Sequence, residues 1–257
     1  MNLELEGKRA LVTGSSAGLG EAIAKRLAAE GARVVVHGRN EARTRAVAAS
    51  IGGAAALGDL ATDEGADEVA KVAGHVDILV NNAGAYPHHT WADATPDRWA
   101  QTYQTNVISG VRMIQRLVPG MRARGWGRII TIGGGLATQP TAGLPDYNAS
   151  LAARHNLAVS LARELRGTGV TSNVVAPGAI RVAALETVFL HMAEERGWGS
   201  TWEEIEPRVV NEVAPNDLGR FGRPEEVAAA VAYLASPLAA YVSGATLRID
   251  GGAIQGV

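Results

Sequence analysis

One short run, Leu11-Val12-Thr13-Gly14-Ser15-Ser16-Ala17-Gly18-Leu19-Gly20, constrains this chain more than any other. Before it, Lys8-Arg9-Ala10-Leu11-Val12 reads as a buried strand. After it, Leu19, Ile23 and Leu27 recur at i, i+4 and i+8, the apolar face of a helix that ends near Gly31. A strand that passes through glycines into a helix leaves the first helical N–H groups without internal partners. The helix dipole adds about half a positive charge at the same place. Gly14 permits the tight turn, Gly18 lets the backbone approach a phosphate, and Gly20 lets the helix pack closely on the strand. Alone, such a run is equally an ordinary glycine-rich turn. The strand before, the helix after and a second strand at Arg33-Val34-Val35-Val36-His37 point instead to a dinucleotide pyrophosphate.

Strand-like and helix-like segments alternate along the rest of the chain. Val34–His37 precedes a helix near Glu41–Ser50, and Ala54–Leu57 precedes one at Ala66–Ala73. Val76–Val80 is a strand, followed after Pro96 by a long helix with Trp99, Tyr103, Val107, Val111 and Ile114 on one face, stopping near Gly120. Arg128–Ile132, a helix over Tyr147–Arg166, and strands at Val170–Val175 and Thr246–Ile249 bring the strand count to about seven. Val227, Val231 and Leu234 mark a last helix opened by Pro224 and Glu225. Continuous apolar strands separated by helices predict an α/β fold with a mainly parallel sheet covered on both faces. Neither a repeat nor a linker interrupts the chain, so residues 1–257 read as one domain. The least regular stretch, 181–223, reads as a substrate lid, with a surface helical hairpin or an oligomer contact as alternatives.

Composition narrows the classes. The charge balance is 24 basic to 26 acidic residues, a net −2, which gives no basic surface for nucleic acid. No apolar run reaches the ~18 residues of a membrane span. Met1-Asn2-Leu3-Glu4-Leu5-Glu6 lacks the basic and apolar regions of a signal peptide, so a cytoplasmic protein is expected. With no cysteine there is no disulfide framework or thiol chemistry. His88 and His89 are adjacent and lack a carboxylate cluster, so no metal site is expected. Ser15-Ser16 is not in a G-x-S-x-G elbow, so no hydrolase triad is read.

Taken together the motifs resemble the short-chain dehydrogenase/reductase family along essentially the whole chain. Thr13–Gly20 is similar to its TGxxxGxG loop, Asn81-Asn82-Ala83-Gly84 to its NNAG motif, and Tyr147-Asn148-Ala149-Ser150 to the start of YxASK. Pro177-Gly178 resembles the PG turn after the sixth strand. Arg220–Val227 and Ile249-Asp250-Gly251-Gly252 resemble C-terminal signatures. The resemblance implies a doubly wound Rossmann fold and an NAD(P)-dependent oxidoreductase acting on a carbonyl or secondary alcohol. It implies Tyr147 and Asn106 as catalytic residues, Asn106 interrupting its helix and holding a water in a proton relay. The cofactor contacts it implies are Gly14, Ser16, Gly18, Leu19, Gly20, Asp59, Leu60, Asn82, Ala83, Gly84, Pro177, Gly178 and Ile180. By the same resemblance the chain would form a homotetramer, burying the apolar end Tyr233–Val257.

Arg39 bears on the choice of cofactor. NAD-preferring sites place a carboxylate after the second strand to bind the ribose 2′-OH. Here the run is His37-Gly38-Arg39-Asn40, and a guanidinium there would clamp a 2′-phosphate by paired hydrogen bonds. NADP(H) is therefore expected over NAD(H), the alternative being a solvated arginine at a helix start.

At two positions the chain departs from the family. The lysine position, four residues after Tyr147, is Leu151, and the serine position is Gly134 within Gly133-Gly134-Gly135. A tyrosine of ordinary pKa near ~10 works poorly as an acid–base group at neutral pH unless its phenolate is stabilised. Impaired catalysis is expected. The alternatives are a cofactor-binding protein without turnover, or an isomerase or lyase using Tyr147 alone. Arg154, His155, Thr131, Thr138, Asp146, His88 and His89 lie near enough in sequence to substitute. Arg154 and His155 read more simply as surface or interface residues, Asp146 as a helix cap and the two histidines as loop residues. Tyr86, Trp91, Phe189, Met192 and Trp198 point to an apolar substrate pocket or to core.

Overall fold

The uninterrupted apolar runs become strands: β1 (Arg9–Val12), β2 (Arg33–Gly38), β3 (Ala54–Leu57), β4 (Ile78–Asn81), β5 (Gly127–Ile132), β6 (Val170–Pro177) and β7 (Thr246–Ile249). In this computed structural model, which describes residues 2–256, they form one sheet in the order β3-β2-β1-β4-β5-β6-β7 with every pair parallel. Met1 and Val257, the outer limits of the expected domain and of the Tyr233–Val257 stretch, lie outside the described residues.

A strand's alternate side chains point to opposite faces, so a run apolar at every position can feed two cores. Ala10, Val12, Ile78, Val80, Ile130 and Ile132 pack on one face with α1 (Gly18–Ala29) and α9 (Pro224–Ala235). Their neighbours Leu11, Leu79 and Ile129 pack on the other, against α3 (Asp63–Ala73) and α5 (Ser109–Arg124). Between β2 and β3 runs α2 (Glu41–Ser50), and α6 (Pro145–Glu164) runs between β5 and β6. Side-chain caps open α2 and α3, Asn40 accepting from Arg43 N–H and Thr62 from Gly65 N–H. No described helix is long and apolar enough to cross a membrane.

The single helix expected after Pro96 is corrected by the structure. The chain forms α4 (Pro96–Tyr103), a π-helical turn at Gln104–Ile108 and then α5. The wider turn re-phases the helix, so its buried line is Thr102, Asn106, Ser109, Met113, Leu117 and Met121. Of the predicted face only Val107 is buried; Trp99, Tyr103, Val111 and Ile114 stay half-buried. The helix also continues past Gly120 to Arg124, where Gly125 closes it in the left-handed conformation (φ 67°).

Residues 181–223 form a helical hairpin of α7 (Ala183–Arg196) and α8 (Trp202–Glu212) with an apolar cluster of its own. Phe221 stands edge-on to both Phe189 and Trp202, at 5.5 and 5.1 Å between ring centroids. The Arg181 guanidinium lies 4.8 Å over Trp202 and pairs with Glu186. Phe189 and Trp202 therefore belong to the hairpin's core.

Candidate active site

In this strand order the chain turns back between β1 and β4, and an all-parallel sheet collects its carboxyl-end loops on one edge. Four of the expected segments meet there: the glycine loop after β1, Asn82–Gly84 after β4, Gly133–Gly135 after β5 and Pro177-Gly178 closing β6.

The glycine loop is bolted by side chains. Thr13 Oγ1 accepts from the N–H groups of Asn82 and Ala83 at 3.0 and 2.9 Å. The Asn82 amide donates to the carbonyls of Thr13 and Gly14 at 2.9 and 3.1 Å, so its side chain holds the loop. Gly14 takes φ +63°, and a Cβ there would sit 2.9 Å from Ala83 Cα. A Cβ on Gly20 would run into the Gly14 carbonyl and the Asn82 amide, which is the close helix–strand packing expected of it. Sequence reading assigned nothing to His37, yet it locks this turn. Its Nδ1 accepts from Gly14 N–H at 2.9 Å and its Nε2 lies 3.0 Å from the Gly58 carbonyl, which fixes a neutral, Nε2-protonated ring. Burial, the largest influence, holds its pKa below the usual value.

In front of the loop the geometry suits a phosphate. No side chain caps α1, so its first N–H groups are free to donate outward. A Cβ on Gly18 would meet only Val182, at 3.7 Å, and Leu19 packs back on the core. Ser16 lies against Gly38 beside Arg39, whose side chain is 74% exposed and lies 3.7 Å from the Asp59 carboxylate. Asp59 also accepts from Ala61 N–H, and Leu60 is buried in the second core. Pro177 ends β6, Gly178 packs against Asp250, and Ile180 is buried and bridges to Gly222. The loop, the uncapped helix and the exposed guanidinium together fit a dinucleotide.

Tyr147 lies in the first turn of α6, which Pro145 opens after Leu144 turns left-handed (φ 61°). Burial pushes its phenol above the ordinary value of 10.0; the Arg154 charge opposes this and Tyr86 adds to it. Tyr86, following the Gly84 loop, meets the Tyr147 ring edge-on at 4.8 Å. Asn106 sits in the π turn, as the expected helix interruption requires. Its Oδ1 accepts from Ala85 N–H at 2.7 Å, and its Nδ2 donates to Ala85 O and Ser150 Oγ at 3.0 Å each. Both amide hydrogens are thus engaged in clamping the loop after β4 to α6.

Gly134 and Leu151 face each other. A Cβ on Gly134 would lie 3.0 Å from Leu151 Cδ1, and Leu151 is fully buried. Gly134 N–H donates to His155 Nε2 at 3.3 Å; burial and then the Arg154 charge keep that imidazole neutral.

The plain readings of three other residues are corrected. Arg154 is not a surface residue: it is 7% exposed, and its Nη2 donates to the carbonyls of Ala83 (2.6 Å) and Asn81 (3.4 Å). Its place on the inner face follows from its spacing of seven from Tyr147. Asp146 is not the cap expected: the cap position is Leu144, no side-chain cap bond is made there, and Asp146 stands inside the first turn of α6. It is fully buried and accepts from Thr102 Oγ1 at 2.6 Å, with His89 Nδ1 at 2.8 Å. Burial works to raise its pKa, but the Thr102 and His89 bonds outweigh it and hold the carboxyl below the usual range. His89 is accordingly a carboxylate partner and not a free loop residue. Among the suggested pocket aromatics, Tyr86 borders Tyr147, whereas Trp91 is 71% exposed, its ring tilted against Trp99 at 6.0 Å between centroids. No cluster of three or more His, Cys, Asp or Glu able to hold a metal occurs among the described residues.

A parallel sheet wound both ways from its switch point, with a glycine loop running into an uncapped helix, defines the Rossmann class of α/β proteins. The description "short chain dehydrogenase" fits residues 8–192 by family model. An uncharacterized oxidoreductase of Bacillus subtilis is 38% identical over the full length of both chains. The 3-oxoacyl-(acyl-carrier-protein) reductase of Escherichia coli is 35% identical over 97% of this chain and 98% of its own. The L-sorbose reductase of Gluconobacter frateurii, solved with NADPH and L-sorbose, superposes with a TM-score of 0.92 at 34% identity, covering all of both chains. This chain belongs to the short-chain dehydrogenase family.

Proposed function

We propose that this protein is an NADP(H)-dependent oxidoreductase that reduces a small carbonyl compound with Tyr147 as proton donor, at a rate limited by an incomplete site. The observation that carries the reading is the meeting of Tyr147, the Asn106 clamp and the Asn82–Gly84 loop at the switch point of the sheet. The dinucleotide, when bound, supplies hydride to the carbonyl carbon. Gly14, Ser16, Gly18, Leu19 and Gly20 would hold its pyrophosphate. Asp59 and Leu60 would border its adenine, and Ala83, Gly84, Pro177, Gly178 and Ile180 the nicotinamide half. Arg39 would take the 2′-phosphate, and the NADPH held by the sorbose reductase supports that choice. Because burial keeps Tyr147 protonated at neutral pH, the site suits donation to a developing alkoxide better than abstraction from an alcohol.

The family's serine and lysine positions are Gly134 and Leu151 here. Glycine offers no hydroxyl to hold the substrate oxygen, and leucine no charge or ribose donor. Losing one such donor costs roughly two to three decades in rate. The 1–257 chain would act as one domain, the 181–223 hairpin covering the substrate. A homotetramer is supported by the exposure of Leu238 and Tyr241 near the C-terminal end.

The test is NADPH and NADH binding, together with NADPH oxidation against a panel of ketones, for the parent and Gly134→Ser/Leu151→Lys. Tighter NADPH binding and a rise of roughly two decades in the double variant are expected. Tighter NADH binding overturns the role of Arg39. Brisk turnover by the parent overturns the incomplete site. Binding without turnover in either protein would favour a cofactor-binding protein that performs no redox reaction.

A further inference from the structure

Arg154 is a buried cation whose hydrogen-bond partners are neutral. Its Nη2 donates only to carbonyls, of Ala83 and Asn81, and among the described residues no ion pair involves it. A buried charge left without an opposite charge is costly, and strongly desolvated charged groups cluster at functional sites. Its surroundings show where that charge would be. Tyr147, Leu151 and Arg154 follow at i, i+4 and i+7, on one face of α6. A Cβ on Gly84 would lie 3.2 Å from Arg154 Nη1 and 3.3 Å from Asn106 Oδ1, so the guanidinium and the Asn106 amide flank the same glycine. That glycine lies in the loop after β4 that also carries Tyr86, in edge contact with Tyr147.

We propose that Arg154 is the counter-cation of the Tyr147 phenolate, acting from one turn further along α6 than the Leu151 position. This rests on Tyr147 as the acid–base group of the proposed reaction. Arg154 touches neither substrate nor reacting atoms in this assignment; it is a positioning residue for charge. The titratable groups facing Tyr147 are Arg154 on its own helix and Tyr86 from the loop; those facing Arg154 are Tyr147 and His155. The two aromatic hydroxyls and the neutral imidazole bring no competing anion. Burial pulls the Arg154 pKa down, but a guanidinium keeps its proton through the range in which tyrosines titrate, so the cation is present when the phenolate forms. Tyr147 opposes that fall, as reciprocal coupling requires.

Phenolate absorbance in the cofactor-free protein reads the coupling without turnover, and subtracting the Tyr147→Phe spectrum isolates Tyr147. Removing the charge in Arg154→Met is expected to raise the Tyr147 titration by about one pH unit, a tenfold smaller phenolate population at a given pH. Arg154→Gln, whose amide still donates to the Ala83 carbonyl, covers the case in which the methionine variant does not fold, and the same shift is expected. Arg154→Lys should titrate within a few tenths of a unit of the parent. An unchanged Tyr147 titration in Arg154→Gln would reduce Arg154 to a strut for the loop and overturn the proposal. The readout needs no cofactor, so a failure to bind NADPH would fault the proposed reaction and leave this test decisive.

Discussion

At Gly134 the nearest atom to where a side chain would begin is a methyl of Leu151, 3.0 Å away. The glycine's backbone is extended (φ 177°), so no conformational strain requires glycine there; space does. The two departures from the family pattern therefore share one volume. Gly134→Ser alone must push Leu151 aside and is expected to lose about 1 kcal/mol in urea unfolding. Leu151→Lys removes the methyl but brings a second cation beside Arg154. The double-mutant cycle should show a coupling of at least ~0.5 kcal/mol, and strict additivity would show that the two positions do not share space. The family resemblance identifies both residues by their distance from Tyr147; it does not show that they touch, because the contact crosses from the loop after β5 to α6.

Among the elements, α1 depends on a single missing side chain. Gly20 lets the helix start against the Gly14 carbonyl, and Gly20→Ala must move helix or loop. A loss of about 1–3 kcal/mol by thermal unfolding and at least tenfold weaker NADPH binding are expected, since the same shift displaces the N–H groups at the helix start. Unchanged affinity would place the phosphate elsewhere. This consequence is readable in the sequence because strand, glycine and helix are neighbours along the chain. The π turn at Gln104–Ile108 is not readable in the apolar periodicity, which runs on as one helix; only the family resemblance implied a break at Asn106. Its phase is set by the Asn106 bonds to Ala85 and Ser150, partners 21 and 44 residues away in sequence. The hairpin core of α7 and α8 is hidden for a similar reason, its Phe221 arriving from beyond both helices.

Across the whole molecule, stability should respond to acid above the range where carboxylates titrate. His37 is neutral, buried and tied to Gly14 and Gly58, with its pKa lowered mainly by burial; His155 is lowered in the same direction. A histidine whose folded pKa is depressed adds stability that is present above its unfolded value of 6.5 and is lost as pH falls toward the folded one. His37 then contributes a slope of up to about 1.4 kcal/mol per pH unit below that point. Asp146, held low, withdraws its share only at more acid pH. Thermal unfolding from pH 7 down to pH ~5 should show this fall, and His37→Gln should flatten it. A parallel result in parent and variant would mean that His37 does not carry the effect.

The sequence by itself determined the strand-and-helix alternation, the parallel two-faced sheet and the glycine loop, because each is written in residues close together along the chain and in side-chain periods of two or near four. Its resemblance to the family's motifs also marked Tyr147, Gly134 and Leu151. Only the tertiary structure decided that Arg154 is buried beside Tyr147, that His37 locks the phosphate loop, that Asp146 pairs with His89, and which residues the re-phased helix around Asn106 buries. Each depends on hydrogen bonds and desolvation between segments that are distant in sequence, and burial of a charge is a property of what surrounds it.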